Sequence, residues 1–409
     1  MAAPRPGGGL AAQLVRLSRR VGADRALVLH GGGNTSCKIG AGGFGPPRVL
    51  LVKGSGRDLA SARRRDFAAL DLAALLDAFD RGDQPLEAAL AAAALDPDAP
   101  RASVETPTHA VLPGRFVVHT HAEAALALTN QPDGADLAER ALGAHFASLP
   151  NLPSGWPLAV AAGAALAVDP ALEGIVVRRH GLFVWADTAD DAAARMFGAA
   201  ARCVAELERR GGRLSGFGRP SADEDRRARR AAAARAPWIA ARFAESFGRP
   251  FAACARASAD LLALLDAPGA AELHARGAVT PDDVVRTLNR PLFFDAGPRA
   301  GRAERFRAAL LGFARGEEER AARLGADRPL AAAVAGQPPR VVCVPGVGLF
   351  GCAPDARQAA AAADLAARAL RVRAAAEAVG RFAPLADDEA FAAETWAPER
   401  AKLDDPLAR

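Results

Sequence analysis

The sequence predicts a layered α/β fold followed by a second α/β region. Three observations carry this. Short β-branched runs such as "RVLLVK" and "RFVVHTH" have strand character. Longer stretches such as 63–79 and 188–210 have the 3.6-residue periodicity of amphipathic helices. The two kinds alternate through the first half, and strands mixed with helices on this scale pack as sheet and helix layers. The 409 residues, half of them hydrophobic, suffice for two cores or one large one.

Taken in order, residues 10–21 read as an amphipathic helix. "RALVLH" (25–30) reads as a strand running into the glycine turn "GGGNTSCK", and "RVLLVKGSG" (48–56) as a strand ending in another. Helical periodicity covers 63–79. Thr106 is placed to cap a helix whose first residue is Pro107, a position where proline is tolerated. "RFVVHTH" (115–121) is a strand, 173–187 two strands around Gly181, and 188–210 a long helix with Thr188 and Asp191 at capping-box spacing. The Gly-, Ser- and charge-rich stretch 211–227 has linker composition. Helices follow to about 275, then a strand over 289–297, a strand and glycine turn over 340–351, and a helix over about 355–380. The expected organisation is a first domain over 1–212, a linker or helix over 213–235 and a second α/β region over 236–409. "HGLFVWADTADDAA" (180–193) resembles "VGLFGCAPDARQAA" (347–360), each after a "VV" strand, with Val347 opposite His180. The second region is therefore a candidate degenerate copy of the first.

Composition excludes several function classes. The formal net charge is +5, with acids and bases interspersed. The densest basic run, Arg226, Arg227, Arg229, Arg230 and Arg235, follows Asp223 and Asp225 and reads as a solvated helix face. With 5% aromatics and no tyrosine there is little to stack on bases, so no nucleic-acid partner is expected. Five cysteines without a C-x-x-C pair point to a reducing compartment and no disulfide framework. The N-terminus lacks a signal-peptide core, and no segment reaches the roughly 20 apolar residues a bilayer needs. A cytoplasmic location and no membrane partner are expected. Lysine occurs only at 38, 53 and 402, which draws attention to Lys38 and Lys53 beside the two glycine loops.

The chemistry concentrates in "SVETPTHAVLPGRFVVHTH" (103–121), which holds three of the seven histidines. Side chains two apart on a strand share a face, so His119 and His121 offer a half-site for zinc. Two unrelated, half-exposed histidines would give the same pattern. His180, at a strand end before a glycine turn, offers a third imidazole. Glu105 and His109 lie four apart and share a helix face. A carboxylate there is a fourth ligand, a proton-transfer group, or simply a helix-start acid favoured by the macrodipole. His109 reads as a packing or hydrogen-bonding residue behind the strand. The loops "GGGNTS" (31–36) and "KGSG" (53–56) can present N–H groups, Ser36, Ser55 and Lys53 to an anion, although ordinary hairpins need no such role. Two such loops near a metal site point to an anionic, phosphorylated substrate. Gly346, Gly348 and Gly351 fit G-x-G-x-x-G after a strand, but the residues about 20 further on are mid-helix and no second strand ends in an acid, so a dinucleotide is not expected.

"GGGNTSCK", "LVKGSG", "SVETPTH", "VVHTH" and "VVRRHGLFVWADTADDA" occur in this order, and over residues 10–210 the chain resembles the class II aldolase/adducin family. Zinc-dependent members of that family include fuculose- and rhamnulose-phosphate aldolases and ribulose-phosphate epimerases. "VTPDDVVRT", "RVVCVPGVGLFG" and "ETWAPERAKL" resemble the rest of the aldolase part of bifunctional rhamnulose-phosphate aldolase/alcohol dehydrogenases. A dehydrogenase domain follows there, so this chain is expected to be a stand-alone aldolase part. The resemblance implies a central, mainly antiparallel sheet flanked by helices, and a homo-oligomer. It implies one Zn2+ per site on His119, His121 and His180, with Glu105 as metal ligand or proton shuttle. It places phosphate at Gly33, Asn34, Ser55, Gly56 and Ser103. The implied reaction is cleavage of a ketose 1-phosphate, or a related sugar, to dihydroxyacetone phosphate and an aldehyde through a metal-stabilised enediolate. Some family aldolases protonate the leaving oxygen with a tyrosine; this chain has none, so another group or water must serve. Epimerase, dehydratase or decarboxylase chemistry at the same site remains open, as does an adducin-like interaction module. A Schiff-base aldolase using Lys53 would leave the histidines without a role.

Overall fold

The structure is a computed structural model that describes residues 6–40, 46–82, 85–214, 222–325 and 330–404. It divides into two compact units, one of Met1–Thr129 with Asp133–Arg209, the other of Asn130–Pro132 with Arg210–Leu407.

The first unit is built on seven strands: β1 (Asn34–Gly40), β2 (Pro47–Lys53), β3 (Phe67–Asp71), β4 (Phe116–Thr120), β5 (Phe146–Leu149), β6 (Gly174–Val177) and β7 (Gly181–Ala186). Their order is β3-β2-β1-β4-β7-β6-β5, and every pairing is antiparallel except β5 with β6. This is the mixed α/β architecture, with a central, mainly antiparallel sheet flanked by helices, that the sequence implied. β4 sits mid-sheet and all five of its residues are buried. Leu112, Val117, Leu158, Ile175, Phe183 and Trp185 pack together around it. Each large apolar side chain buried in this way contributes roughly 1.5–3 kcal/mol, which makes β4 a firm base for a site.

The second unit holds β8 (Ala252–Arg256), β9 (Leu292–Phe293), β10 (Val341–Val344) and β11 (Gly348–Ala353) in the order β8-β11-β10-β9. β8/β11 and β10/β11 are antiparallel and β9/β10 parallel. That is the order and sense of β4-β7-β6-β5 in the first unit. The register agrees as well: His119 pairs with Phe183, and Ala255 with Phe350, at matching places in the two GLF hairpins. Each hairpin leads into a long helix, Ala189–Arg209 or Ala356–Val379. Each helix is capped by the residue before it, Thr188 accepting from the Asp191 amide and Asp355 from the Gln358 amide.

Several elements depart from the expectations. The run 25–30 is not a strand; Leu27, Val28 and Leu29 are buried in an irregular segment, so their hydrophobicity reflects core packing. The strand begins at Asn34, inside the expected glycine turn. Within 63–79 the chain makes a 3₁₀ turn (Arg64–Asp66) and then β3, and the helix Leu72–Arg81 starts only after Asp71, whose carboxylate accepts from the Ala73 and Ala74 amides. Thr106 does not cap its helix; its hydroxyl donates to the Ser103 carbonyl at 2.6 Å, and Glu105 occupies the cap position. The strand over 289–297 shrinks to Leu292–Phe293. In the linker stretch, residues 215–221 lie outside the described residues, while Ala222–Ala233 is a helix whose Arg226, Arg227, Arg229 and Arg230 lie largely towards solvent. Gly346 and Gly348 belong to the antiparallel β10–β11 hairpin, not a strand–turn–helix cradle. A Cβ on Gly351 would lie 2.1 Å from the Ala359 carbonyl oxygen, so close packing accounts for that glycine. Among the described residues no helix is long and apolar enough to cross a membrane.

Candidate metal centre

β4 projects His119 from the sheet, His121 follows two residues later, and the β6–β7 hairpin brings His180 beside them. All three are buried, and a nitrogen from each lies within 4.8 Å of the others. His119 Nε2 and His121 Nε2 are 3.0 Å apart. Glu105 closes the group, with Oε1 3.1 Å from His180 Nε2 and Oε2 3.4 Å from His119 Nε2.

These spacings fit a divalent metal. Tetrahedral zinc with bonds of 2.0–2.1 Å sets neighbouring ligand atoms ~3.3 Å apart. The His119 tautomer fits as well. Nδ1 lies 3.0 Å from the Leu182 carbonyl oxygen, which can only accept, so Nδ1 carries the proton and Nε2 presents its lone pair inward. Phe183 stacks on the His119 ring at 4.0 Å between centroids, which fixes the ring plane.

Glu105 is not a helix-start acid in the ordinary sense. It sits at the cap position with φ −91° and ψ 3°, and its side chain makes no capping bond. The carboxylate instead faces the imidazoles. Burial alone would push its pKa up, but in the metal-free protein the field of His119 when protonated, a hydrogen bond from His180 and the field of His121 hold it well below the usual carboxylate range. It is therefore ionised at neutral pH.

The remaining predicted residues surround this centre. Asn34 pairs with His119 across β1 and β4, and its amide donates to Glu105 Oε2 at 2.5 Å and to Ser103 Oγ at 3.1 Å. Ser36 is reached by His109, whose Nδ1 lies 2.7 Å from its Oγ. Gly33 adopts φ +61° with its Cα against β4: a Cβ there would lie 2.7 Å from the His119 carbonyl oxygen, so the loop needs glycine at this place. Lys53 donates to the Gly31 and Arg57 carbonyls at 2.5 and 2.7 Å, joining the two glycine loops. In the second loop the Gly54 and Ser55 amides bond to the Asp66 and Arg101 carbonyls. The Ser55 hydroxyl is buried and has no hydrogen-bond partner among the described residues. A Cβ on Gly31 would lie 2.6 Å from the Gly56 carbonyl oxygen, so the loops touch. Lys38 stands apart from the histidine cluster; its ammonium donates to the Leu112 carbonyl, and burial lowers its pKa to about 8.

Sequence reasoning underrated Asn34's side chain and passed over Phe183 and Arg179. The sequence signal for Arg179 was faint, a glycine (Gly346) at the matching place of the second hairpin; in the structure the two share φ +61° and +69°.

The family model described as the class II aldolase and adducin N-terminal domain matches residues 12–207, and that of the second domain of class II aldolases matches 230–403. The chain is 27% identical over 401 residues to the Bacillus subtilis protein YuxG, which is described as an uncharacterized oxidoreductase. The match takes in 96% of this chain and 58% of YuxG, so the chain spans rather more than half the length of that relative. Among solved structures, the N-terminal class II aldolase domain of a conserved Thermoplasma acidophilum protein is 34% identical over 47% of this chain and 90% of its own, with a TM-score of 0.42. L-fuculose-1-phosphate aldolase from Thermus thermophilus is 19% identical over 52% of this chain and all of its own, with a TM-score of 0.36. The chain belongs to the class II aldolase and adducin family.

Proposed function

We propose that this protein is a metal-dependent carbon–carbon lyase that cleaves a ketose 1-phosphate or related sugar to dihydroxyacetone phosphate and an aldehyde. The observation that carries the reading is the convergence of three imidazole nitrogens and one ionised carboxylate at 3.0–3.4 Å spacings, beside two glycine loops. His119, His121 and His180, with Glu105 as a fourth ligand, would hold a zinc ion. Such an ion supplies Lewis-acid stabilisation of developing oxyanion charge, worth several kcal/mol.

The chain's own residues do the rest. Glu105, ionised and buried, carries a proton to or from the carbon beside the carbonyl. The Ser55 hydroxyl, with the Gly33 and Gly56 loops and Ser103, takes up the phosphate, while the Ser36 hydroxyl is engaged by His109. Binding energy at that remote group then fixes the reacting carbons. Lys53 acts here by tying the two loops together more than by touching substrate, because its ammonium already serves two carbonyls. The same two bonds weigh against its use as a Schiff-base nucleophile. With no tyrosine in the chain, water or another polar group takes the proton from the hydroxyl that becomes the aldehyde oxygen, and returns it in the reverse direction. The family resemblance supports a homo-oligomer, and the unpatterned cysteines support a cytoplasmic location.

The test is a screen of ketose 1-phosphates for aldehyde release. Chelator should abolish release, zinc should restore it, and borohydride with substrate should trap no adduct. Epimerisation or loss of water in place of cleavage would refute the lyase reading and keep the metal site. A borohydride adduct on Lys53 would overturn both.

A further inference from the structure

Glu105 is held from behind by a second layer of buried polar groups. Asn34 and Ser36 share one face of β1, two residues apart. His109 lies one helical turn after Glu105 and is fully buried. Its Nε2 faces Asn34 Oδ1 and its Nδ1 faces Ser36 Oγ. Asn34 Nδ2 in turn donates to Glu105 Oε2 and Ser103 Oγ.

The donor and acceptor roles follow from chemistry. Asn34 Nδ2 donates to both Glu105 Oε2 and Ser103 Oγ, so Oδ1 faces His109. A carbonyl oxygen only accepts, so His109 Nε2 carries the proton. The fully buried ring meets only the Ser36 hydroxyl at Nδ1, and that hydroxyl can donate to a bare Nδ1. Turning the Asn34 amide over would set two acceptors against each other at Glu105. Phe183 joins the two layers: it meets His109 edge-on at 6.0 Å and stacks on His119 at 4.0 Å.

We propose that Asn34 and His109 are positioning residues: the chain Ser36–His109–Asn34 fixes Glu105 against the histidine triad, with His109 locked as the neutral Nε2–H tautomer. This rests on the reading that Glu105 works at a metal centre. The Asn34 side chain, which the family resemblance assigned to phosphate, is assigned to the carboxylate instead. Both of its N–H groups and its carbonyl are in use within the protein.

The experiment has two arms. The first is histidine 15N NMR of the metal-free full chain, with His109 identified by comparison with His109→Gln. The expected signal is a protonated Nε2 and a bare Nδ1 that do not titrate between about pH 8 and 5, a window spanning the ordinary histidine range. An Nδ1–H tautomer, or titration near the ordinary value of about 6.5, would overturn the proposal. This arm needs neither substrate nor metal, so it separates failure of the positioning chain from failure of the lyase reading. The second arm is zinc affinity. Removal of a group behind a metal ligand typically costs about 10–100-fold, and His109→Leu and Asn34→Ala are each expected to fall in that range. The double variant should lose no more than one of them, because both break the same chain. His109→Gln, whose amide can donate to Asn34 Oδ1, should recover most of the affinity. Equal losses in His109→Gln and His109→Leu, or losses that follow only a drop in Tm, would show a merely structural role.

Discussion

The two units use one strand arrangement for opposite ends. In the first, the face of β4 and the β6–β7 hairpin carry His119, His121 and His180, and buried polar groups converge on them. In the second, the matching register holds Ala255, Ala257 and Val347. The place opposite Gly348 is filled as well: a Cβ there would meet the Arg256 carbonyl oxygen, the Ala257 methyl and the Ala232 methyl of the helix Ala222–Ala233. Two buried arginines of the second unit are paired with carboxylates. Arg368 donates to Asp283, and Arg320 to Glu317, Glu394 and Asp387. The first unit also carries three strands, β1 to β3, that have no counterpart among the described strands of the second, and β1 brings Asn34 to Glu105. One supersecondary unit thus becomes a site when histidines and an extra strand are added, and a packed support when both are missing.

The largest expected contrast is in metal binding. His119→Ala, His121→Ala or His180→Ala should each lower zinc affinity by more than about 100-fold, beyond the range for groups behind a ligand, while Val347→His in the second unit should add no bound metal. Equilibrium dialysis with metal analysis checks both. A gain of metal in Val347→His would break the contrast.

Stability should show the reverse. Asp283→Ala leaves Arg368 buried without its partner and should cost about 3–5 kcal/mol, the usual penalty for half of a buried ion pair. Its metal content per folded chain should not change. Denaturant melts give the first quantity; a loss under about 1 kcal/mol, the scale of an exposed pair, would mean that water reaches Arg368.

A third prediction concerns pH. His109 stays neutral in the fold down to about pH 3, whereas the unfolded chain protonates it near 6.5. The unfolded state therefore binds more protons in that window. The stability associated with neutral His109 is fully present above about 6.5 and lost progressively as pH falls towards about 3, at up to about 1.4 kcal/mol per pH unit. His109→Gln should remove that slope in metal-free protein, and an unchanged slope would place the proton uptake elsewhere.

The smallest effect is at the hairpin. Arg179 at φ +61° holds a conformation that costs a non-glycine residue roughly 1–2 kcal/mol, and the second unit uses Gly346 in its place. Arg179→Gly relieves that strain but adds unfolded-chain entropy, so stability should change by less than about 1 kcal/mol. A large destabilisation would show that the arginine side chain itself secures the turn.

Much of this was legible in the residues because it follows from local rules. The two-residue period of a strand put His119 and His121 on one face, and Thr188 with Asp191 marked a helix start. The matched "GLF" segments pointed to hairpins that the register shows to be equivalent. What stayed hidden had long-range causes. β1 was missed because "NTSCK" is polar, yet it is buried, its side chains satisfied by residues up to 75 positions away. β3 was absorbed into a helix because Phe67–Asp71 has no clear alternation. Glu105 looked like a helix-start acid because only the fold shows its carboxylate turned away from the helix amides. For the same reason His109 read as support, while its link to Asn34 could not be seen.

The central claim is that one of the two related units holds a metal and the other does not. Metal stoichiometry of the purified full chain after loading with zinc and removal of excess tests it most directly. The account predicts one zinc per chain, lost in His121→Ala and retained in Asp283→Ala. Two zinc ions per chain, or none, would contradict it.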